Sequence, residues 1–341
     1  MKTAKKLTAL ILALAMIFAL AACAGNDDDQ TSTGDAPKTT VNVATLMGPT
    51  GIGMTKLMDD DEKGSSANDY NFTVATSPDQ IVAAISNATD PIDIAACPIN
   101  LASTLYKKTN GAVQIAAINT LGVLYILENG NTINSISDLK GKTLYATGQG
   151  STPEYILNYI LEANGLTPGE DVTINYVAEH AELATMIATG KVDLAMLPEP
   201  NVTSARVQNS DLRIALDVTE EWGKATALNG DGESELVQGC IIVRKEFAEN
   251  NPEALEAFLE EYKASVDYVN ANVDEASTLC ETYGIIPKAA VAKMAIPNCN
   301  ITFVKGAEMK ELAQSNLQIL FDANPSSIGG AMPADDFYYG C

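Results

Sequence analysis

The chain has 341 residues, of which 46% are hydrophobic, and it carries a formal net charge of −23 at pH 7. This length is enough for two domains of ordinary size. There are 44 Asp and Glu residues against 21 Lys and Arg residues, whereas binding to nucleic-acid phosphates requires concentrated basic side chains. We therefore exclude nucleic acid as a partner.

The first 22 residues have the features of a lipoprotein signal peptide. Three lysines precede an unbroken apolar run that is short for a membrane span, and the run closes on Leu20-Ala21-Ala22-Cys23. This tetrapeptide resembles the bacterial lipobox, in which the cysteine is acylated, with palmitate among its lipids, and becomes the new N-terminus. We therefore expect Cys23 to hold the mature chain on the extracytoplasmic face of the cell membrane, at the cell surface or in a periplasm.

The segment that follows, residues 23–40, is rich in Asp, Gly, Ser and Thr and has almost no apolar residues. Such a composition cannot bury a core, so we expect a disordered tether between the lipid and a folded body. The folded body is expected to begin near Val41.

From Val41 onward, short apolar strands alternate with helical patterns, which is typical of an α/β fold with crossover connections. At Ser77-Pro78-Asp79 and at Thr152-Pro153-Glu154, a proline followed by an acidic residue predicts a helix start. After Glu246 the pattern is almost entirely helical, with a long amphipathic helix expected over residues 252–270. The predicted strands span residues 41–46, 72–75, 92–96, 113–118, 123–127, 143–146, 172–177, 212–215 and 238–243.

The chain has five cysteines beyond Cys23. A turn brings the chain back between the predicted helices that precede Cys280 and Cys299, and we predict a disulfide between these two residues. The state of the other three, Cys97, Cys240 and Cys341, stays open. The sequence contains no CxxC motif and a single histidine, His180, so we expect no metal site and no cofactor.

Three segments together resemble the solute-binding subunits of ABC importers, in particular the class for nitrate, sulfonates, taurine and thiamine precursors (NMT1/Thi5-like). The segments are SISDLKGKTLYATGQGSTPEY (135–155), HAELATMIATGKVDLAMLPEP (180–200) and GCIIVRKEFAENNPEALEAFL (239–259). The resemblance implies a type II periplasmic-binding-protein fold, with two α/β lobes, two crossing strands and a ligand cleft between the lobes. Lobe one would comprise residues 41–126 and 238–341, and lobe two residues 127–237.

The resemblance also places ligand-binding residues in loops that follow strands. In lobe one these are Met47, Gly48, Thr50, Gly51, Cys97, Asn100, Asn119 and Thr120. In lobe two they are Gln149, Gly150, Ser151, Thr152, Glu199 and Asn201. Several have a second interpretation: the glycines fit tight turns, Ser151 and Thr152 fit a helix cap, and Glu199 fits an interlobe ion pair.

The function implied is that of a lipid-anchored importer component that works as a monomer with an ABC permease and ATPase. Two alternatives are a tethered ligand sensor and an enzyme like the Thi5-type pyrimidine synthase, which depends on histidine and a cysteine-rich iron site. We expect no enzymatic activity, because His180 lies between acidic residues and the chain has no GxSxG elbow.

The charge of the ligand stays open. Helix N-termini and hydroxyl groups could hold a nitrate-like or sulfonate-like anion, whereas sparse basic residues favour a neutral heterocycle such as a thiamine precursor. The nearest basic residues by sequence are Lys56, Lys142 and Arg206.

Overall fold

The computed structural model describes residues 38–87, 89, 91–230, 232 and 234–341. The predicted signal peptide, Cys23 and nearly all of the predicted tether lie outside these residues. Residues 39–341 form one compact unit. Within the described part of the chain, no helix is both long and apolar enough to cross a membrane.

The described residues form eleven strands and thirteen α-helices, numbered in chain order. The strands are β1 (Thr40–Leu46), β2 (Asp69–Ala75), β3 (Ile94–Pro98), β4 (Val113–Leu121), β5 (Leu124–Glu128), β6 (Thr143–Ala146), β7 (Thr173–Tyr176), β8 (Leu194–Pro198), β9 (Arg213–Asp217), β10 (Val237–Arg244) and β11 (Ile301–Val304). The helices are α1 (Pro49–Ile52), α2 (Thr55–Glu62), α3 (Pro78–Ile85), α4 (Ile99–Lys108), α5 (Thr152–Ala163), α6 (His180–Ala188), α7 (Asn201–Gln208), α8 (Val218–Asn229), α9 (Lys245–Asn250), α10 (Pro252–Ala271), α11 (Val273–Thr282), α12 (Ala289–Ala295) and α13 (Gly306–Ala323).

The first sheet has six strands in the order β11-β4-β10-β3-β1-β2. β1 pairs in parallel with β2 and β3, whereas β10 is antiparallel to β3 and β4. Helices cover both faces, and each face has its own apolar cluster. Because both faces are covered, the strands are continuous apolar runs, as in β3, where Ile94, Ala95, Ala96 and Cys97 are fully buried.

The second sheet has five strands in the order β7-β6-β8-β5-β9. Strands β6, β7 and β8 are parallel, and β5 runs antiparallel to β8 and β9. On one face Trp222 of α8 packs against Tyr159 of α5, with ring centroids 5.0 Å apart. We take each sheet with its covering helices as one lobe. The mixed α/β architecture with two sheets agrees with the expected fold class.

Two connections cross between the sheets. The first is the short link Gly122-Val123 between β4 and β5, and the second runs from β9 through α8 to β10. A side chain at Gly122 would meet Thr219 Oγ1 at 2.1 Å, so the first link requires glycine. The crossings lie a few residues from the expected boundaries at 126/127 and 237/238.

The long amphipathic helix predicted over residues 252–270 is confirmed as α10, which buries Leu255, Phe258, Leu259 and Tyr262. Helix α8 was not predicted, although its ends carry recognisable signals. The Asp217 side chain accepts a hydrogen bond from the Thr219 backbone NH, and Gly230 ends the helix with a φ of 91°.

The predicted disulfide between Cys280 and Cys299 is wrong for this structure, in which both thiols are free and buried. Both side chains belong to the apolar core of lobe one and pack there as small apolar groups. Burial raises the pKa of the Cys280 thiol to about 12 and that of Cys299 well above its ordinary value. Because the thiolate is the form that forms disulfides, this environment disfavours oxidation. Cys97 and Cys240 are also free and buried, and Cys341 is free and exposed.

Candidate ligand-binding crevice

In lobe one, the strand order reverses at β1. The chain passes from β1 to β2 on one side and then to β3 on the other side of β1. The loops that leave β1 and β3 therefore separate at the carboxyl edge of the sheet, where open α/β sheets bind ligands. Residues Met47–Gly48 and the first turns of α1 and α4 line this point, so the structure brings together Met47, Gly48, Thr50 and Asn100 of the predicted set.

Lobe two repeats this arrangement. The chain passes from β6 to β7 on one side and then to β8 on the other side of β6. The loops that leave β6 and β8, residues 147–151 and Glu199-Pro200, therefore separate at the carboxyl edge of this sheet. They contain Gln149, Gly150, Ser151 and Glu199 of the predicted set, and Thr152 and Asn201 begin the helices that follow.

The two connections that cross between the sheets, which we call the hinge, turn these two edges toward each other. β4 ends at the carboxyl edge of the first sheet, and after Gly122-Val123 the chain enters β5 with Leu124 paired opposite Pro198, the last residue of β8. The return crossing has the same geometry, because Asp217 at the end of β9 pairs with Tyr125 and β10 starts at the carboxyl edge of lobe one. The crevice between the lobes is thus lined by the loops at both switch points, the places beside β1 in lobe one and β6 in lobe two where the strand order reverses.

On the lobe-one side, Asn119 is a structural anchor for the wall. Its side-chain NH2 donates to the Thr50 carbonyl and to the Tyr262 hydroxyl, both at 3.0 Å, and its oxygen accepts from Thr120 Oγ1 at 3.1 Å. Asn119 and Thr120 are fully buried. A Cβ at Gly239 would lie 2.7 Å from Asn119 Oδ1, so the close packing around Asn119 requires glycine there.

The other lobe-one residues differ in exposure. Met47 is 38% exposed and Asn100 is half-buried, whereas Gly51 is buried against Ile285. Gly48, with a φ of 86°, turns the chain into α1. Cys97 is fully buried opposite Cys240, whose Sγ lies 3.6 Å from the Cys97 carbonyl oxygen, and it therefore lies beneath the wall.

On the lobe-two side, the loop after β6 is held by its own polar groups. Ser151 Oγ donates to the Gly148 carbonyl at 2.6 Å, and the Gly150 NH donates to the Glu154 carboxylate at 2.5 Å. Gly148 and Gly150 have φ values of 79° and 73°, which favour glycine. Gln149, Gly150 and Ser151 are exposed.

Glu199 makes an interlobe contact, as one interpretation of its sequence position anticipated, but the contact is a hydrogen bond to an uncharged residue. Its carboxylate accepts from Asn298 Nδ2 of lobe one at 3.2 Å, and from the Thr203 NH and hydroxyl at 3.1 and 3.0 Å. Tyr125 of lobe two donates to the Asn298 carbonyl at 2.8 Å. Burial raises the pKa of Glu199, and the Thr203 and Asn298 bonds offset part of this effect. Sequence reasoning missed Asn298 and Tyr125, because no local pattern marks a contact between lobes.

His180 and Trp222 are the single histidine and the single tryptophan of the chain. A hydrogen bond of 2.7 Å joins His180 Nδ1 to Thr147 Oγ1, and partial desolvation lowers the pKa of the imidazole. Trp222 is 1% exposed and fills the core of lobe two. Within the described part of the chain, no three His, Cys, Asp or Glu residues form a group that could hold a metal ion.

Comparison with known proteins agrees with this architecture. Residues 107–276 match the family model described as "NMT1/THI5 like", whereas no curated protein matches the chain. The chain is similar to an ABC transporter structure from Parabacteroides distasonis, with 25% identity, a TM-score of 0.73, and coverage of 88% of this chain and 99% of that one.

Two further solved structures share the fold. The periplasmic aliphatic sulphonate binding protein SsuA from Escherichia coli has 18% identity and a TM-score of 0.65, with 88% and 94% of the two chains covered. The periplasmic nitrate-binding protein NrtA from Synechocystis PCC 6803 has 14% identity and a TM-score of 0.57, with 87% and 83% covered. The type II periplasmic-binding-protein fold and the resemblance drawn from the sequence motifs are thereby confirmed.

Proposed function

Because the chain is a relative of the NMT1/THI5-like family and has the type II periplasmic-binding-protein fold, we propose that it is the solute-binding component of an ABC importer. In this role the crevice captures a small solute as the lobes close. The closed protein then delivers the solute, chemically unchanged, to a membrane permease that an ATPase subunit drives. The protein acts as a monomer and needs no cofactor.

The observation that carries this proposal is the pair of switch points joined by the hinge. Each lobe offers the loops that diverge at its carboxyl edge, and the link Gly122-Val123 is short enough to keep the two edges opposed. We expect the exposed side chains of Gln149 and Met47 to face the solute, and the buried Asn119 and Thr120 to support the wall from inside lobe one. This division of roles suits a carrier that closes around its solute.

We propose that the crevice binds its solute and does no chemistry on it. Nδ1 of His180 is bonded to the Thr147 hydroxyl and not to a carboxylate of the kind that orients a catalytic histidine. Both oxygens of Glu199 accept hydrogen bonds from protein groups. The solved relatives with printed functions are binding or transport proteins, which supports the same assignment.

We propose, from the lipobox alone, that Cys23 carries the lipid that retains the protein on the extracytoplasmic face of the membrane. Cys23→Ser should release the protein from the membrane fraction into the medium or periplasm without changing the folding of residues 39–341. Intact-mass measurement of the wild-type protein should show the added lipid. A Cys23→Ser protein that stays in the membrane fraction would refute the assignment.

The binding role is tested by solute screening with the mature protein in detergent, using thermal unfolding and small-angle scattering. A captured solute must raise the melting temperature by mass action and reduce the radius of gyration through closure. Gln149→Ala, at the carboxyl end of β6, should weaken the response, whereas Lys142→Ala, just before the amino end of the same strand, should leave it unchanged. Conversion of the solute during incubation, or binding without closure, would contradict the carrier role.

A further inference from the structure

The hydroxyl of Tyr155, on helix α5, joins two parts of the molecule that lie in different lobes. It donates to the Gly150 carbonyl at 3.1 Å, in the loop 147–151 of lobe two, which we call the solute loop. It accepts from Asn324 Nδ2 of lobe one at 2.7 Å, just beyond the end of α13. Because a phenol has a single proton, the two bonds form a directed chain from the Asn324 amide through the Tyr155 hydroxyl to the Gly150 carbonyl.

The Asn324 amide is held in one orientation by the residues that follow it. Its Oδ1 accepts from the Ser326 backbone NH at 3.1 Å and from the Ser326 hydroxyl at 2.6 Å. Since the amide oxygen is used in this cap, the amide nitrogen is the atom that faces Tyr155. The direction of the chain of hydrogen bonds therefore follows from the cap.

Helix α13 is fixed in lobe one and also reaches the border of lobe two. Ile319 of α13 packs against the core of lobe two, and the ring of Tyr155 packs against the core of lobe one. A cavity of about 630 Å³ lies between α5 and α13, so apolar packing along this border is incomplete and the bond between Tyr155 and Asn324 helps to hold the two helices together. The side chains that anchor α13 in the core of lobe one are Met309, Ala313, Leu317 and Leu320.

Within the solute loop, Gly150 is held at both of its backbone groups. Its NH donates to the Glu154 carboxylate at 2.5 Å, and its carbonyl accepts from Tyr155. The first bond lies entirely inside lobe two. The second depends on a hydroxyl whose other partner, Asn324, lies in lobe one. The backbone of this part of the crevice wall is therefore coupled to the relative position of the lobes.

We propose that Tyr155 and Asn324 are positioning residues through which lobe one holds the solute loop of lobe two in place. This inference rests on the proposed binding function and concerns the control of the same crevice. When the lobes move apart, the Tyr155 hydroxyl loses the Asn324 amide. Because hydrogen bonds in a chain strengthen one another, its bond to the Gly150 carbonyl weakens at the same time. The loop thus loosens in the open protein and is ordered again as the lobes close on the solute.

Asn324→Asp separates this role from a purely structural one. The substitution keeps an oxygen for the cap with Ser326 but removes the donor to Tyr155. A carboxylate only accepts, so the Tyr155 proton turns toward it and leaves the Gly150 carbonyl without this bond. Tyr155→Phe keeps the packing of the ring, removes the hydroxyl and should have the same consequence for the loop.

The test is amide hydrogen exchange of the mature protein without solute, followed by mass spectrometry of peptides that cover residues 147–151. The reporting amides include Gly150, bonded to Glu154, and Ser151, bonded to the Gly148 carbonyl at 3.1 Å. Both variants should exchange about two- to tenfold faster than the wild type, the range for the loss of one hydrogen bond. The double variant should add nothing further, since both changes remove the same bond. Tyr159→Phe, one turn further along α5, is the matched control and should leave this exchange unchanged.

Solute binding is measured separately by calorimetric titration with three probes: propanesulfonate, nitrate and 4-aminopyrimidine. A probe that binds the wild type should bind Asn324→Asp about two- to tenfold more weakly, because the loop that it meets is no longer held. Tyr159→Phe should bind that probe as the wild type does.

The outcomes keep this inference apart from the binding function itself. Unchanged loop exchange in Asn324→Asp overturns the inference, whether or not a probe binds. Faster exchange together with unchanged affinity for a bound probe overturns the positioning role and leaves the carrier role standing. Faster exchange in a protein that binds no probe supports the link between the lobes, while the carrier role fails this test.

Discussion

Asn119 should contribute to stability before any solute binds. Asn119→Ala removes the donor to the Thr50 carbonyl and to the Tyr262 hydroxyl, and both groups lie in the buried wall of lobe one. Each buried polar group left without a partner costs about 1–3 kcal/mol. We expect Asn119→Ala to lower the free energy of unfolding by about 2–4 kcal/mol, because it leaves two such groups without this partner.

A double-mutant cycle identifies the origin of this loss. Tyr262→Phe removes one of the two partners, so Asn119→Ala in that background should cost about 1 kcal/mol less than in the wild type. The measurement is urea unfolding followed by circular dichroism without solute, with an unchanged dependence on denaturant. Asn100→Ala, on the partly exposed side of the same edge, is the control and should cost less than about 1 kcal/mol.

Two results would refute this account of Asn119. If the unfolding free energy falls by less than about 1 kcal/mol, the amide does not hold the wall. If the effects of Asn119→Ala and Tyr262→Phe add within about 0.3 kcal/mol, the 3.0 Å contact between these side chains carries no energy. A variant that unfolds normally but loses solute binding would instead restore Asn119 as a ligand contact.

Three further predictions follow from the buried polar groups and thiols. Burial raises the pKa of Glu199, so the folded protein keeps this proton to higher pH than the unfolded chain does. The stability that the protonated group contributes is complete below the pKa of the unfolded chain, and it is lost as the pH rises through the pKa of the folded protein. Glu199→Gln should flatten that decline in urea unfolding from acid to neutral pH, and an unchanged profile would contradict the assignment. Gly239→Ala should cost about 1–3 kcal/mol in the same assay, because its Cβ would lie 2.7 Å from Asn119 Oδ1; a neutral variant would mean that this wall can relax. Alkylation of the denatured, unreduced protein should modify both Cys280 and Cys299, and a peptide pair linked through them would show that the disulfide forms after all.

The sequence predicted the local elements of this fold well, because strands and helices follow from periodicity and from end signals. Pro252 begins α10 and Pro153 lies in the first turn of α5, as the sequence signals indicated. Helix α8 escaped prediction because its apolar residues lack a clear stripe, although Asp217 and Gly230 mark its ends. The grouping of loops into one crevice depends on strand order, and strand order has no local signal in the sequence.

The roles of individual site residues were harder to predict for the same reason. Asn119 and Glu199 were expected to face the solute, and their loops do reach the crevice edge, yet their polar atoms are bonded to partners more than 60 residues away or across the lobes. A sequence position next to a strand end tells which edge a residue occupies. It does not tell whether the side chain turns outward to the solute or inward to support the wall.

Asn298 also constrains how the lobes can move. It precedes β11 of lobe one, yet its side chain donates to Glu199 and its carbonyl accepts from Tyr125, both in lobe two. Two such hydrogen bonds contribute about 1–3 kcal/mol together, which corresponds to a roughly fivefold to 150-fold shift in the equilibrium between two conformations. The neighbouring Asn300 donates to the Gly122 carbonyl in the first crossing at 2.7 Å.

These hydrogen bonds make residues 296–300 a third, noncovalent connection between the lobes, beside the two covalent crossings. A rotation of lobe two about the link Gly122-Val123 must either carry this segment with it or break the bonds to Asn298. In the first case the segment hinges against β11, and closure costs little. In the second case the solute must offset the lost bonds through its own contacts with both walls, so that part of its binding free energy is spent on closing the protein around it.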